Sequence, residues 1–185
     1  MGILKFHSRV FSKYFYKDRG GFLAKDIYVI ILNRAREPHL YTVFKVPDTV
    51  DGRFEMITLH MFLVLRRLKG GNKYDNKSCQ DLFDYMFADM DLSLREMGAG
   101  DMGVGKRVKA MVQAFYGRIV SYERALEIGK SALENALKKN VYSNKISEHN
   151  EPSLLADYVC AQNLHLSQLE KEEMKDAQFS FGPID

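Results

Sequence analysis

A chain of 185 residues with 46% apolar and 28% charged residues has the length and composition of one globular domain with a sizeable core. Its two cysteines, Cys79 and Cys160, cannot build a disulfide framework, and its longest apolar run, Ile27–Leu32, falls far short of the roughly 20 residues that span a bilayer. The formal net charge of +3 is uneven: residues 1–25 carry six basic residues against Asp18, and residues 170–185 carry five acidic against two basic, so only the first end is drawn to anionic surfaces.

Residues 1–20 read as a basic amphipathic helix. Ile3, Phe6, Val10 and Tyr14 recur at three- and four-residue steps, and Lys5, Arg9, Lys13 and Lys17 step by four along another face. These four cations are candidates for contact with a membrane or a ribosome, since each Lys or Arg beside an anionic membrane contributes about 1 kcal/mol. The alternative is a helix whose apolar side packs on the domain. Gly20-Gly21 ends it. Ala24, Ile27, Tyr28, Ile31 and Ala35 predict a second helix, although the run Tyr28–Leu32 also has strand character. Glu37-Pro38 stops it, because the residue before proline avoids the α region. Asp48 or Thr49 then caps a third helix, whose stripe is Phe54, Ile57, Met61, Val64, Leu65 and Leu68 and which Gly70-Gly71 closes.

A fourth helix starts near Ser78 and runs to Met97, with Cys79, Leu82, Phe83, Met86, Phe87, Met90 and Leu94 inward. A fifth, capped by Asp101, buries Val104, Val108, Met111, Val112, Phe115 and Ile119, and continues past a bend at Gly117 to Leu133 and Leu137. Residues 140–151 read as a polar loop, and Pro152 opens a last short helix with Leu154, Leu155, Tyr158 and Val159. The expected fold is all-α, a single-domain irregular bundle of about six to seven helices. A basic helix covers residues 1–20, the helical domain 21–169, and a flexible acidic tail 170–185.

Two nucleotide-binding patterns overlap in one segment. Gly100, Gly105 and Lys106 satisfy G-x-x-x-x-G-K, and Gly98, Gly100 and Gly103 satisfy G-x-G-x-x-G. Both work only after a buried strand, and the first needs Ser or Thr after the lysine to hold magnesium. Here Arg107 follows Lys106, and helical spacing leads into the glycines. The favoured reading is a helix end, a short turn and a new helix start. The five histidines lack metal-ligand spacing, and no G-x-S-x-G nucleophile signature is present. His60 reads as a satisfied structural histidine beside an apolar stripe.

The same segment, LREMGAGDMGVGKRVKAMVQAFYGR from Leu94 to Arg118, resembles the signature of the ubiquinol–cytochrome c chaperone family. A second block from Tyr41 to Gly70, with its Val46-Pro-Asp-Thr49 turn, Gly52-Arg-Phe-Glu55 and Leu59-His60, resembles that family's other hallmark, and Asp81 to Asp91 also fits. The resemblance runs from about residue 27 to about residue 140. It implies a non-catalytic chaperone without cofactor or metal, one that binds newly made cytochrome b and assists assembly of the cytochrome bc1 complex. Mitochondrial relatives act with a small helical co-chaperone near the ribosomal exit, which makes the ribosome a further expected contact; contact with an anionic membrane surface is expected from the basic residues 1–20. DNA is not an expected partner. The family-like region begins almost at once, which leaves little room for a presequence. The expectation is a bacterial member in the cytoplasm, peripheral at the inner face of the membrane, or in the matrix if the source is eukaryotic.

Polar residues are dense in the two blocks. Asp48, Arg53, Glu55 and His60 lie near one helix start; Arg95, Glu96, Asp101, Lys106 and Arg107 surround the glycine-rich turn; Tyr116, Arg118 and Tyr122 follow. These twelve are candidate partner-binding residues. They suit either helix caps and inter-helix ion pairs or a groove floor that recognises a partner segment. Two other functions stay open: an RNA- or ribosome-binding module using Arg66, Arg67, Lys69 and Lys73, and a nucleotide-binding enzyme using Gly98–Lys106.

Overall fold

Apolar residues at helical spacing generate the architecture. The structure is a computed structural model that describes residues 23–69, 73–98, 100–143 and 150–184. The helices are α1 (Ala24–Ala35), α2 (Pro38–Thr42), α3 (Val50–Leu68), α4 (Lys73–Glu96), α5 (Asp101–Ile128), α6 (Lys130–Asn140), α7 (Glu151–Gln168) and α8 (Lys171–Lys175). Six are long and two are about one turn; no strand occurs among the described residues, so the all-α expectation holds. The run Tyr28–Leu32 is helical. Lys5, Arg9, Lys13 and Lys17, with the helix expected around them, lie outside the described residues.

Helix α3 is the centre. Its residues from Phe54 to Val64 are all buried, which a helix reaches only when other elements surround it. Helices α1, α4, α5, α7 and α8 all pack on it, while α6 bridges α5 and α7. Thr49 caps α3 as expected, its side chain accepting from Gly52 N–H. Aromatic rings fill the α4–α5 contact: Phe83 and Phe87 meet Phe115 at centroid distances of 5.5 and 5.7 Å. Tyr28 joins α1 to α4 by donating to Asp89 at 3.1 Å.

Several expectations need correction. Helix α4 begins at Lys73 rather than near Ser78, which is itself buried within it. The fifth helix is unbroken at Gly117 but does not reach Leu137: it stops at Gly129, whose φ of 130° breaks the helix and starts α6. The tail is not a frayed segment. Met174 of α8 is fully buried, and Ser180, Gly182 and Pro183 are hydrogen-bonded to α1 and α7. Charge suggested fraying, but Phe179, Phe181 and Ile184 pack on the core.

Candidate partner-binding site

The start of α3 is built by a close approach of main chain. Thr49 N–H donates to Pro47 O at 2.9 Å, and a Cβ at position 52 would sit 1.9 Å from the same oxygen. Only glycine fits there. Arg53, the next residue, pairs with Asp48 at 2.6 Å, and its guanidinium lies 5.7 Å from the Tyr41 ring centroid. Both partners of that pair are half-exposed, so it is worth little to stability.

Glu55 turns inward, its side chain 8% exposed, and meets Arg118 of α5 at 2.7 Å, with two further contacts of 3.1 Å. Burial pushes the Glu55 carboxyl up, and Arg118 opposes that shift. One turn further along α5, Tyr122 is fully buried. Its hydroxyl and Asn140 Nδ2 find no hydrogen-bond partner of good geometry among the described residues. Burial and the nearby Glu55 charge hold the Tyr122 phenol far above its ordinary value.

His60 is fully buried in a directional relay. Arg34 Nε donates to Tyr158 Oη at 2.8 Å. Tyr158 donates to His60 Nε2 at 2.7 Å, and His60 Nδ1–H donates to Met56 O at 2.7 Å. That arrangement uses every ring nitrogen and needs the neutral imidazole. Burial lowers the His60 value from 6.5 to about 4. The folded state thus resists a proton that the unfolded chain accepts. Stabilisation from this group is complete above about pH 6.5 and disappears as pH falls toward 4, a loss of about 3 kcal/mol. Urea titrations at pH 7 and pH 4 should show that loss in the unaltered chain and not in His60→Gln. Parallel pH profiles for the two would refute it. Glu55, shifted the other way, contributes to both chains and cancels in the comparison.

Around the glycine-rich turn, Gly98 takes φ of 83° and ends α4, and Gly100 stands before α5. The cap is therefore Gly100 rather than Asp101, which occupies the first turn, where a carboxylate favours the helix dipole. Arg95 ties the turn together by pairing with Asp91 at 2.6 Å and with Asp101. Glu96, Lys106 and Arg107 are exposed. No strand precedes the glycines, so the context that nucleotide binding requires is missing. Large apolar side chains stand open here: Met102 is 93% exposed, Met97 60% and Leu92 43%.

Gly103, Gly105 and Gly117 sit inside α5, and a Cβ at any of them meets nothing within 4 Å. No internal packing calls for them, although each costs a helix about 1 kcal/mol relative to alanine. Gly103→Ala with Gly117→Ala should therefore raise stability by about 1–2 kcal/mol in thermal or urea unfolding. A destabilised double variant would show that these glycines serve the fold.

The twelve predicted residues do not converge on one groove. Asp48 and Arg53 form a surface pair, Glu55, Arg118 and Tyr122 lie between α3 and α5, and His60 belongs to the α3–α7 contact. Tyr116 joins the aromatic cluster 5.5 Å from Phe83. Arg95, Glu96, Asp101, Lys106 and Arg107 remain grouped at the turn. Of the basic residues of the RNA reading, Arg66, Arg67 and Lys69 line a cavity of about 280 Å³ with Leu63, Asn163 and Ser167. There Arg66 pairs with Glu123, and Arg67 donates to Leu166 O and Leu169 O at the end of α7. Those two guanidiniums are already engaged within the fold. Arg34 and Gln162 carry no signal in the sequence, because their partners lie more than a hundred and about twenty residues away, respectively. Among the described residues no helix is long and apolar enough to cross a membrane, and no group of three His, Cys, Asp or Glu could hold a metal.

The chain matches a family model described as Ubiquinol-cytochrome C chaperone over residues 42–181. It is similar to the crystal structure of the Cbp3 homolog from Brucella abortus, with 36% identity and a TM-score of 0.78 over 87% of this chain and 89% of that one. It is 25% identical to the ubiquinol-cytochrome c reductase complex assembly factor 1 of Mus musculus over 70% of this chain, and spans only 44% of that relative's length. The corresponding assembly factor of Xenopus laevis is 22% identical over 82% of this chain and 76% of its own. With a family match that covers most of its helices, this chain belongs to the ubiquinol-cytochrome C chaperone family.

Proposed function

We propose that this protein is a non-catalytic assembly factor that binds newly made cytochrome b and assists assembly of the ubiquinol–cytochrome c reductase complex. The observation that carries the reading is the exposed apolar surface of Leu92, Met97 and Met102 at the turn inside the family-like segment. A nascent membrane helix is apolar, and methionine offers it an adaptable surface. The open space beside Gly103 and Gly117, which share one side of α5, allows a partner backbone to come close, as small residues do where helices meet in membranes.

The names of the relatives from Mus musculus and Xenopus laevis support the same complex as the destination. The proposed placing is the cytoplasm, at the inner face of the membrane, with residues 1–20 as the contact segment. The assembled complex should fall several-fold in cells that lack this protein and return when it is restored. Unchanged levels of the complex in those cells would refute the proposal.

A further inference from the structure

The end of the chain is held as a bound peptide is held. Among the described residues, 179–184 make no main-chain to main-chain hydrogen bond. Their polar contacts come instead from side chains of α1 and α7 and go to main-chain atoms. Arg34 donates to Gly182 O; Gln162 accepts from Gly182 N–H at 2.8 Å and donates to Pro183 O at 3.0 Å; His165 Nε2 donates to Ser180 O at 3.0 Å. Gln162 is 1% exposed, so its amide is committed to this contact.

Two features select side chains. The Phe181 ring stands edge-on to His60 at 5.2 Å, with the Arg34 guanidinium 5.7 Å from its centroid. Gly182 is buried, and a Cβ there would lie 3.3 Å from the His165 ring and 3.5 Å from the Gln162 amide. Main-chain hydrogen bonds read any extended backbone, whereas a ring site followed by a position where a Cβ would press on the His165 ring favours aromatic–glycine.

We propose that the face formed by α1, α3 and α7 is a groove for extended peptide segments containing aromatic–glycine, and that residues 178–184 are its resident intramolecular ligand, exchangeable with such a segment of a partner. Tethering gives the strap an effective concentration in the millimolar range, so a competing segment must be delivered by a partner bound elsewhere or be offered in excess. This groove is separate from the apolar turn between α4 and α5, and its test does not depend on what that turn binds.

The test is fluorescence anisotropy with a labelled peptide of sequence Gln178–Ile184. The chain ending at Ala177 should bind it at least about ten-fold more tightly than the full chain. Arg34→Met in the shortened chain, and Phe181→Ser in the peptide, should each remove about ten-fold or more of that binding. A shortened chain that keeps its helical circular dichroism and a cooperative melt yet does not bind would overturn the proposal. If the shortened chain does not fold, the full chain carrying Phe181→Ser decides. That variant loses the ring but keeps the main-chain contacts, so it should bind the peptide at least about ten-fold more tightly than the unaltered chain. Equal binding by the two would overturn the proposal.

Discussion

Gly52→Ala should destabilise the protein by about 3 kcal/mol or more in urea unfolding, although alanine is ordinarily the better helix former by about 1 kcal/mol. The added Cβ would lie 1.9 Å from Pro47 O and 3.0 Å from Pro47 C, both main-chain atoms. The turn cannot yield locally. Thr49 N–H is bonded to Pro47 O, and the Thr49 hydroxyl accepts from Gly52 N–H at 3.1 Å. Relief of the clash therefore costs the cap of α3, itself worth about 1 kcal/mol, and shifts the central helix. A stabilised Gly52→Ala variant would show that the approach of Pro47 is not fixed.

Arg118→Met should cost about 3 kcal/mol, because it leaves the Glu55 carboxylate buried without its counter-charge. The cost stays near the low end for a buried pair, since Arg118 is partly exposed and water can enter when it is removed. Burial already holds the Glu55 value up, and Arg118 pulls it down. Without Arg118 the value rises further, so the variant recovers stability as pH falls and Glu55 takes up a proton. Glu55→Gln combined with Arg118→Met should restore most of the loss, because the pair is coupled and the second change removes the stranded charge. Strictly additive losses in the double variant would contradict the coupling.

Helical spacing made the long helices legible in one dimension, with α5 and α6 read as one, and Thr49 marked the α3 start because a capping hydroxyl has a local sequence signature. The break at Gly129 was hidden: Tyr122, Leu126, Leu133 and Leu137 keep roughly the same face on both sides of it. A helix tolerates a glycine such as Gly117, and only the backbone angle shows which one ends it. The start of α4 was hidden because residues 73–77 carry almost no apolar periodicity. The strap was hidden for another reason. Its hold comes from Arg34 and Gln162, and side chains that bond distant main chain leave no periodic trace. The glycine-rich turn was correctly read as a junction between helices, since the absence of a preceding strand is a local feature. Which polar residues pair across helices was not legible, because Glu55 and Arg118 are far apart in the chain.

We propose that the exposed turn receives newly made cytochrome b. A photo-crosslinking amino acid placed at Met102, which is almost fully exposed, tests it in living cells. The tagged protein would be captured after a pulse of labelled protein synthesis and brief illumination. The expected result is a labelled adduct containing cytochrome b, absent when the same amino acid stands at the buried position of Met174. Adducts with soluble metabolic proteins alone, in cells that are making cytochrome b, would contradict it.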